Sequence, residues 1–358
     1  MNFHELHPVQ QRILQDVQAG KPNLVGGLAD SLGMSRQGIH HHIRILEGEG
    51  LLRGEGRTRA RQYHLQVLAE ETVDLEVSPG LAEDVVFRER IEPLLEDLPA
   101  AAAGRCYYAF TEIFNNAIDH SAGRRVRIEI ERTAMELRLS IADDGVGIFD
   151  KIQRALGLDD PRLSVFELSK GKLTTDPENH TGEGIFFSMR MAERFGLASG
   201  GLRFRVAGGR LELEEPEQAQ SGTRVDMGFD LSSARTSADV FDAFTATAGE
   251  FGFTRTRVVV ELAKVGSGDL VSRSQARRVL ERLDRFEEVV LDFTGVEMIG
   301  QGFADEVFRV FRGRHPAVLV SCERDSERVA RMIRHVLAGR RDPWLEGYER
   351  QRERRGGD

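Results

Sequence analysis

Residues 8 to 18 place Val9, Ile13, Leu14 and Val17 at helical spacing, and residues 24 to 32 form a second short apolar run closed by Gly33. Ser35 then stands at the N-cap of a third predicted helix. Its Ile39, Ile43 and Leu46 share one face, which leaves Ser35, Arg36, Gln37, His40, His41 and Arg44 for other faces. After the turn at Gly48 to Gly50, the stretch from Leu51 to Leu65 reads as two strands around a basic hairpin with Arg53, Arg57, Arg59 and Arg61. His40, His41 and His42 are consecutive, so on a helix they point about 100° apart and do not converge on one ion.

Residues 68 to 105 read as a linker and a lead-in helix. Strict alternation follows at Val126-Arg-Ile-Glu-Ile and Leu137-Arg-Leu-Ser-Ile, the mark of antiparallel strands with one buried face. Leu202-Arg-Phe-Arg-Val, Leu211-Glu-Leu and Thr223-Arg-Val-Asp-Met-Gly-Phe continue that sheet, with a helix expected over 185 to 195. Near Ser237 the pattern changes to short buried-strand candidates at 257 to 262, 288 to 293 and 316 to 321, separated by helices at about 272 to 286, 302 to 313 and 325 to 337. The stretch 346 to 358 is dense in Arg and Glu and reads as a solvated, charged tail.

Three separated motifs carry candidate chemistry: Glu112-Ile-Phe-Asn-Asn116, Asp143-Asp-Gly145-Val-Gly147 and His180-Thr-Gly182-Glu-Gly184, with Gly222-Thr223 as a fourth. Glu112 and Asn116 stand four apart on a helix and face the same way. Glycines let backbone approach phosphate closely. Together and in this order the motifs resemble the histidine-kinase-like (GHKL) ATPase fold of gyrase, histidine kinases and anti-sigma-factor kinases.

The resemblance implies that ATP and Mg2+ are the ligands. Asn116 is the implied magnesium ligand and Glu112 the group that orients or deprotonates the attacking group. Asp143 is implied to accept a hydrogen bond from the adenine amine, and Thr223 to approach the adenine edge. Gly145, Gly147, Gly182 and Gly184 complete the expected pocket, with 149 to 179, including Lys170, Lys172, Thr174 and Thr175, as a mobile lid. Asp144 points the other way from Asp143 along a strand, so solvent exposure or loop structure is its expected role.

The N-terminal pattern resembles a winged helix-turn-helix domain, which implies DNA contacts from Ser35, Arg36, Gln37, His40, His41, Arg44, Arg57, Arg59 and Arg61. The stretch 290 to 306 resembles STAS-like domains, the fold of anti-anti-sigma factors, and implies a protein partner. At the turn where that comparison puts a substrate serine this chain has Gln301, which accepts no stable phosphoester. Ser272 and Ser274 lie nearby and read as helix-capping residues. The expected fold class is thus a multi-domain α/β chain: a winged helix-turn-helix over 1–67, a linker over 68–105, a GHKL α/β sandwich over 106–232, a STAS-like α/β domain over 237–345 and a tail over 346–358.

Composition narrows the function classes. Of 358 residues 40% are apolar and 30% charged, the balance of a soluble globular chain with two or three domains. Cys106 and Cys322 stand far apart without metal spacing, which excludes a disulfide scaffold and fits a reducing compartment. The net charge of -9 excludes indiscriminate nucleic-acid coating but not a local basic face. No window resembles a signal peptide or a membrane span, so a cytoplasmic protein is expected. The leading expectation is an ATP-binding transcription regulator whose winged helix is switched by the ATPase and STAS-like modules, with a homodimer expected from two-fold DNA sites. A serine/threonine protein kinase of the anti-sigma type and a non-hydrolysing ATP-dependent scaffold are the alternatives.

Overall fold

His7 closes the start of the first helix: its Nδ1 accepts the Val9 N–H at 3.2 Å, and Gln10 Oε1 accepts the His7 N–H at 3.0 Å. From there α1 (Pro8–Gln18), α2 (Leu24–Leu32) and α3 (Arg36–Gly48) follow the predicted spacing. Ser35 Oγ accepts the Gly38 N–H at 3.1 Å and caps α3 as expected. Strands β1 (Leu52–Glu55) and β2 (Gln62–Leu65) pair antiparallel as the wing. The computed structural model describes residues 3–56, 61–174, 181–208, 210–246, 252–264, 269–338 and 342–355.

The central part runs β3 (Ala69–Glu76), α4 (Glu83–Val86), α5 (Ala100–Asn115), β4 (Arg125–Arg132), β5 (Glu136–Asp143), α6 (Ile148–Leu156), α7 (Arg162–Lys170) and α8 (Gly184–Met191). It continues with β6 (Arg194–Gly200), β7 (Leu202–Ala207), β8 (Arg210–Glu214), β9 (Gln220–Asp230) and α9 (Ser237–Asp242). The last part runs β10 (Arg255–Val259), α10 (Arg273–Leu280), β11 (Glu288–Asp292), α11 (Gln301–Asp305), α12 (Arg312–Arg314), β12 (Leu319–Glu323), α13 (Glu327–Leu337) and α14 (Pro343–Arg355). These elements form two units, 1–148 with 187–237 and 149–186 with 238–358.

In the first unit a seven-stranded antiparallel sheet has the order β3-β4-β5-β9-β6-β7-β8. Alternation sends Val126, Ile128, Leu139, Ile141, Leu197 and Phe229 into the core, which α5 fills with Ala109, Phe110, Ile113 and Phe114. The opposite face is polar and is laced by ion pairs such as Arg138–Glu131 and Arg224–Glu129. The winged helix is joined to this sheet by more than a linker. Ala134 and Met135, in the turn between β4 and β5, complete the apolar cluster of Ile13, Leu14, Leu28, Ile39, Ile43 and Leu46.

Helix α5 is fixed by a buried cation. Arg105 is fully buried, and its Nη1 donates to the Met191 carbonyl at 2.6 Å and to both Glu193 oxygens at 2.7 and 2.9 Å. Its Nη2 reaches the Asp230 carbonyl at 3.3 Å. Burying a guanidinium is costly unless it is paired, and here both terminal nitrogens find acceptors around the ends of α8 and β9, while Nε is buried without a partner among the described residues.

In the second unit β10-β11-β12 form a parallel sheet, with α10 and α11 in the two crossovers. Helix α7 packs against β10 and the turn at 260–263.

Four features differ from the sequence reading. The stretch 68–105 is more than a linker, because β3 is an edge strand of the large sheet; only Val73 of its residues is buried, so the apolar signal was faint. The helix expected to reach Phe195 ends at Met191, and Phe195 belongs to β6. The strands expected at 257 to 262 and 316 to 321 lie at 255–259 and 319–323, and 260–263 is a turn. The charged tail is helix α14 through Arg355: Trp344 Nε1 donates to the Val320 carbonyl at 2.5 Å, Tyr348 OH to Asp325 at 2.6 Å, and Arg355 to the Cys322 carbonyl at 2.8 Å. Two aromatic residues and a set of arginine pairs suffice to dock a segment that composition marks as solvated.

Arg105→Met, measured by denaturant unfolding of the full-length protein, should lower stability by about 3–5 kcal/mol, because the bonds to the Met191 and Asp230 carbonyls and to Glu193 are lost together. A loss under about 1 kcal/mol, the range of a surface pair, would show that the bond network is dispensable.

Candidate nucleotide site and nucleic-acid face

Strand β5 ends at Asp143, whose carboxylate is buried beside β9. Its Oδ1 accepts the Gly145 N–H at 2.9 Å and the Thr223 N–H at 3.3 Å. Burial raises the Asp143 pKa, those two N–H donors pull it back down, and Asp144 raises it further. With Oδ1 committed to the backbone, Oδ2 is the acceptor left for a ligand amine. Thr223 Oγ1 accepts the Ile148 N–H at 3.1 Å, so the strand end and the glycine turn are fastened together.

Packing dictates the glycines of this turn. A Cβ on Gly145 would lie 2.1 Å from the Ser121 carbonyl oxygen, and one on Gly147 would lie 2.4 Å from Ser199 Oγ. Gly222 has φ +65, and a Cβ there would lie 2.1 Å from the Asp143 carbonyl oxygen. The turn is closed before any ligand enters.

Helix α5 delivers Glu112 and Asn116, both half-buried, and Asn116 begins a π-helical turn through His120 that packs against β5. Asn116 Nδ2 donates to the Glu112 carbonyl at 2.8 Å, which leaves Oδ1 as the oxygen for a cation. Magnesium keeps several waters and takes one or two protein oxygens beside substrate phosphates, so this donor set fits it. π-turns inside α-helices recur at functional sites because they re-aim a side chain.

Sequence reasoning missed two residues of this region. Ser121 accepts the Val146 N–H at 2.6 Å through its carbonyl, and its Oγ donates to the Ala117 carbonyl at 2.5 Å and accepts the Gly123 N–H at 2.9 Å. It joins the helix end to the glycine turn, and Ser-x-Gly after a helix is the local turn signature that marks it. Ser199 Oγ donates to the Gly222 carbonyl at 3.0 Å, and nothing in its sequence context distinguishes it. Asp144 has the expected loop role: its Oδ1 accepts the Arg124 and Arg125 N–H groups at 2.7 and 3.0 Å, which lowers its pKa.

Glu112, Asn116, Asp143, Gly145, Gly147 and Thr223 thus lie in the first unit, whereas Gly182 and Gly184 lie in the second. Thr175 and His180 lie outside the described residues. The expected mobile lid is largely a folded part of the second unit. Helix α7 is buried from Leu163 through Lys170, and Lys170 Nζ donates to Glu167 at 2.7 Å. Burial pulls the Lys170 pKa down to about 8 despite Glu167. Its ammonium faces a carboxylate and helix carbonyls inside the second unit, which corrects the expectation of added lid charge.

On the winged helix, Ser35, Arg36, Gln37, His40, His41 and Arg44 are all exposed, with Ile39, Ile43 and Leu46 beneath them. His42 turns inward and stacks on His7 with ring centroids 4.9 Å apart, and burial lowers its pKa, helped by the neighbouring His7 and His41. Arg61 is exposed but pairs with Glu47 of α3 and lies 5.5 Å over the Tyr63 ring. Arg57 and Arg59 lie outside the described residues.

Residues 102–233 match the family model described as histidine kinase-, DNA gyrase B- and HSP90-like ATPase. Residues 6–55 match a helix-turn-helix domain, and residues 275–323 match a STAS-like domain of unknown function. Comparison with curated proteins gives no match. Among solved structures, the B-subunit of the DNA gyrase from Myxococcus xanthus is similar at 13% identity, with 28% of this chain and 29% of that chain covered and a TM-score of 0.16. No helix among the described residues is long and apolar enough to cross a membrane. In order along its length, then, the chain carries a helix-turn-helix domain, a histidine-kinase-like (GHKL) ATPase-type domain and a STAS-like domain.

Proposed function

We propose that the protein is an ATP-binding transcription regulator, in which nucleotide occupancy of the GHKL domain changes how the winged helix engages DNA. The single observation that carries this reading is the buried Asp143 carboxylate, held by two backbone N–H groups with one oxygen left over. A carboxylate in that position selects a base edge that donates, as the adenine amine does, and repels the guanine carbonyl. Asn116 Oδ1 would take magnesium, which neutralises phosphate charge. Glu112, one helical turn before Asn116, is the residue assigned to orient an attacking water. By their sequence, Gly182 and Gly184 are assigned backbone contacts to phosphate.

The exposed polar face of α3 supports DNA contact, with Gln37, His40 and His41 assigned to base edges together with Ser35, and Arg36 and Arg44 to phosphate or guanine. Arg61 reaches phosphate by leaving Glu47, and Arg57 and Arg59 extend the same basic edge in sequence. The protein is assigned to the cytoplasm, with a homodimer as its DNA-binding form and a protein partner for the STAS-like domain.

The test is incubation with labelled ATP and magnesium, followed by separation of bound nucleotide, free phosphate and phosphoprotein. Bound nucleotide is expected in every case; phosphate release adds ATPase activity, and label on protein would favour the kinase reading. Asn116→Ala should weaken magnesium-dependent ATP binding by about 1.5–3 kcal/mol in calorimetric titration, the worth of a hydrogen bond or ligand contact to a charged group. Asp143→Asn should cost a similar amount for ATP and narrow the preference over GTP, since an amide both accepts and donates.

The affinity of the parent protein for ATP should also fall on acidification at a pH above the ordinary aspartate range. A carboxyl with a raised pKa takes its proton early and then stops accepting from the amine. An Asp143→Asn variant with the same acid profile as the parent would remove that explanation. On a DNA site selected from a random pool, Arg36→Ala and Arg44→Ala should each cost about 1–3 kcal/mol, or flatten the salt dependence by about one unit if the contact is to phosphate.

A further inference from the structure

We infer that Arg282, within the stretch that matches the STAS-like domain, is a positioning residue for the glycines at 182 and 184, so that this domain sets nucleotide affinity through a largely buried latch. The inference rests on the ATP reading above and names a regulator for that site. All of the geometry lies within the second unit.

The latch begins where α10 ends. Lys170 Nζ donates to the carbonyls of Arg278 and Glu281 at 2.8 and 3.3 Å, as well as to Glu167. Three acceptors use the three ammonium protons, and the two carbonyls are at the C-terminal end of a helix, where its dipole favours a cation. The next residue, Arg282, has φ +65, a left-handed conformation that costs a non-glycine residue energy and persists only where surrounding bonds enforce it. That turn aims the guanidinium back at α7. Nη2 donates to the Glu167 carbonyl at 3.0 Å and to its Oε2 at 2.5 Å, and Nη1 donates to the Lys172 carbonyl at 3.1 Å.

From Lys172 the path to the glycine motif is short. The next residue, Leu173, donates its N–H to the Gly182 carbonyl at 3.1 Å, and a Cβ on Gly182 would lie 2.4 Å from the Leu173 backbone. Gly182 has φ +72, so glycine is required there on both counts. Helix α8 begins two residues later, at Gly184. On the other side, Thr256 Oγ1 of β10 donates to the Lys170 carbonyl at 2.7 Å, and Lys172 Nζ donates to the Arg285 carbonyl at 3.1 Å over the Phe286 ring.

Arg282 therefore bonds both to the helix that precedes the loop and to the residue beside the Gly182 anchor. Phe186, two residues past Gly184, packs on Phe253 with ring centroids 4.3 Å apart and closes the far side. Any ligand that shifts α10 against β10 moves Gly182 with it. By linkage, nucleotide that selects one position of Gly182 favours one arrangement of the STAS-like domain.

The experiment compares the full-length protein with Arg282→Met and Glu167→Gln, titrated with Mg·ATP and separately with adenosine. Phosphate contacts depend on the glycines, whereas adenosine reports only the Asp143 end. Arg282→Met is expected to weaken Mg·ATP binding about 10-fold and leave adenosine binding unchanged, with Arg282→Lys restoring part of it because it keeps the charge and loses the fork. The double variant should lose no more than the worse single one, since both residues belong to one bond. Equal losses for both ligands, or none, would overturn the inference.

If the parent protein binds neither ligand, the nucleotide reading fails, and hydrogen exchange then decides the latch alone. Loss of protection at 164–173 in Arg282→Met keeps the latch, and unchanged protection sinks it. Glu167→Gln, which retains the volume of the side chain, serves the same comparison if Arg282→Met does not fold.

Discussion

Arg105 is the constraint on which the first unit depends. A guanidinium with no exposed surface has to find acceptors, and it finds them at the ends of α8 and β9. Those bonds fix where α5 lies across the sheet, and α5 carries Glu112 and Asn116 to its C-terminal turn. Apolar packing of Phe110 and Phe114 would allow the helix to slide along its axis, because dispersion is not directional. The charged fork allows one register, so the position of the candidate magnesium ligand is set by a residue three helical turns away from it.

The second unit uses the same device with opposite geometry. The buried Glu167 and Lys170 and the half-buried Arg282 lie within one cluster, and each is bonded to another member or to helix carbonyls. Such clusters add little net stability compared with apolar packing, but they tolerate only one arrangement. What they specify here is the attachment of α7 and Lys172 to the end of α10.

Motif residues were the most legible part of the sequence. Asn116, Asp143, Gly145 and Thr223 were readable because their chemistry is unusual for their positions: an amide late in an apolar helix, a carboxylate ending a buried strand. The winged helix was readable from Ser35 and the Ile39, Ile43, Leu46 stripe. Strand β3 was hidden because an edge strand with a polar outer face buries little beyond Val73. Helix α14 was hidden because its anchors, Trp344 and Tyr348, are two residues among thirteen, and its arginines look solvated until their partners are seen. Lys170 was misread because a lysine in a loop-like stretch gives no local sign that Glu167, three residues earlier, and Arg282, more than a hundred later, will enclose it.

The turn between β4 and β5 has a consequence for how this chain divides. Met135, completely buried among the residues of the winged helix, directly precedes a strand of eight residues that finishes at Asp143, about 26 Å away at the usual rise. Cutting the polypeptide at residue 67 would separate the sequence of the helix-turn-helix domain from one wall of its own core. A fragment meant to fold alone must replace Ala134 and Met135 with a surface that water accepts. A chimera that grafts a foreign helix-turn-helix onto this ATPase-type domain must bring its own counterpart to that turn.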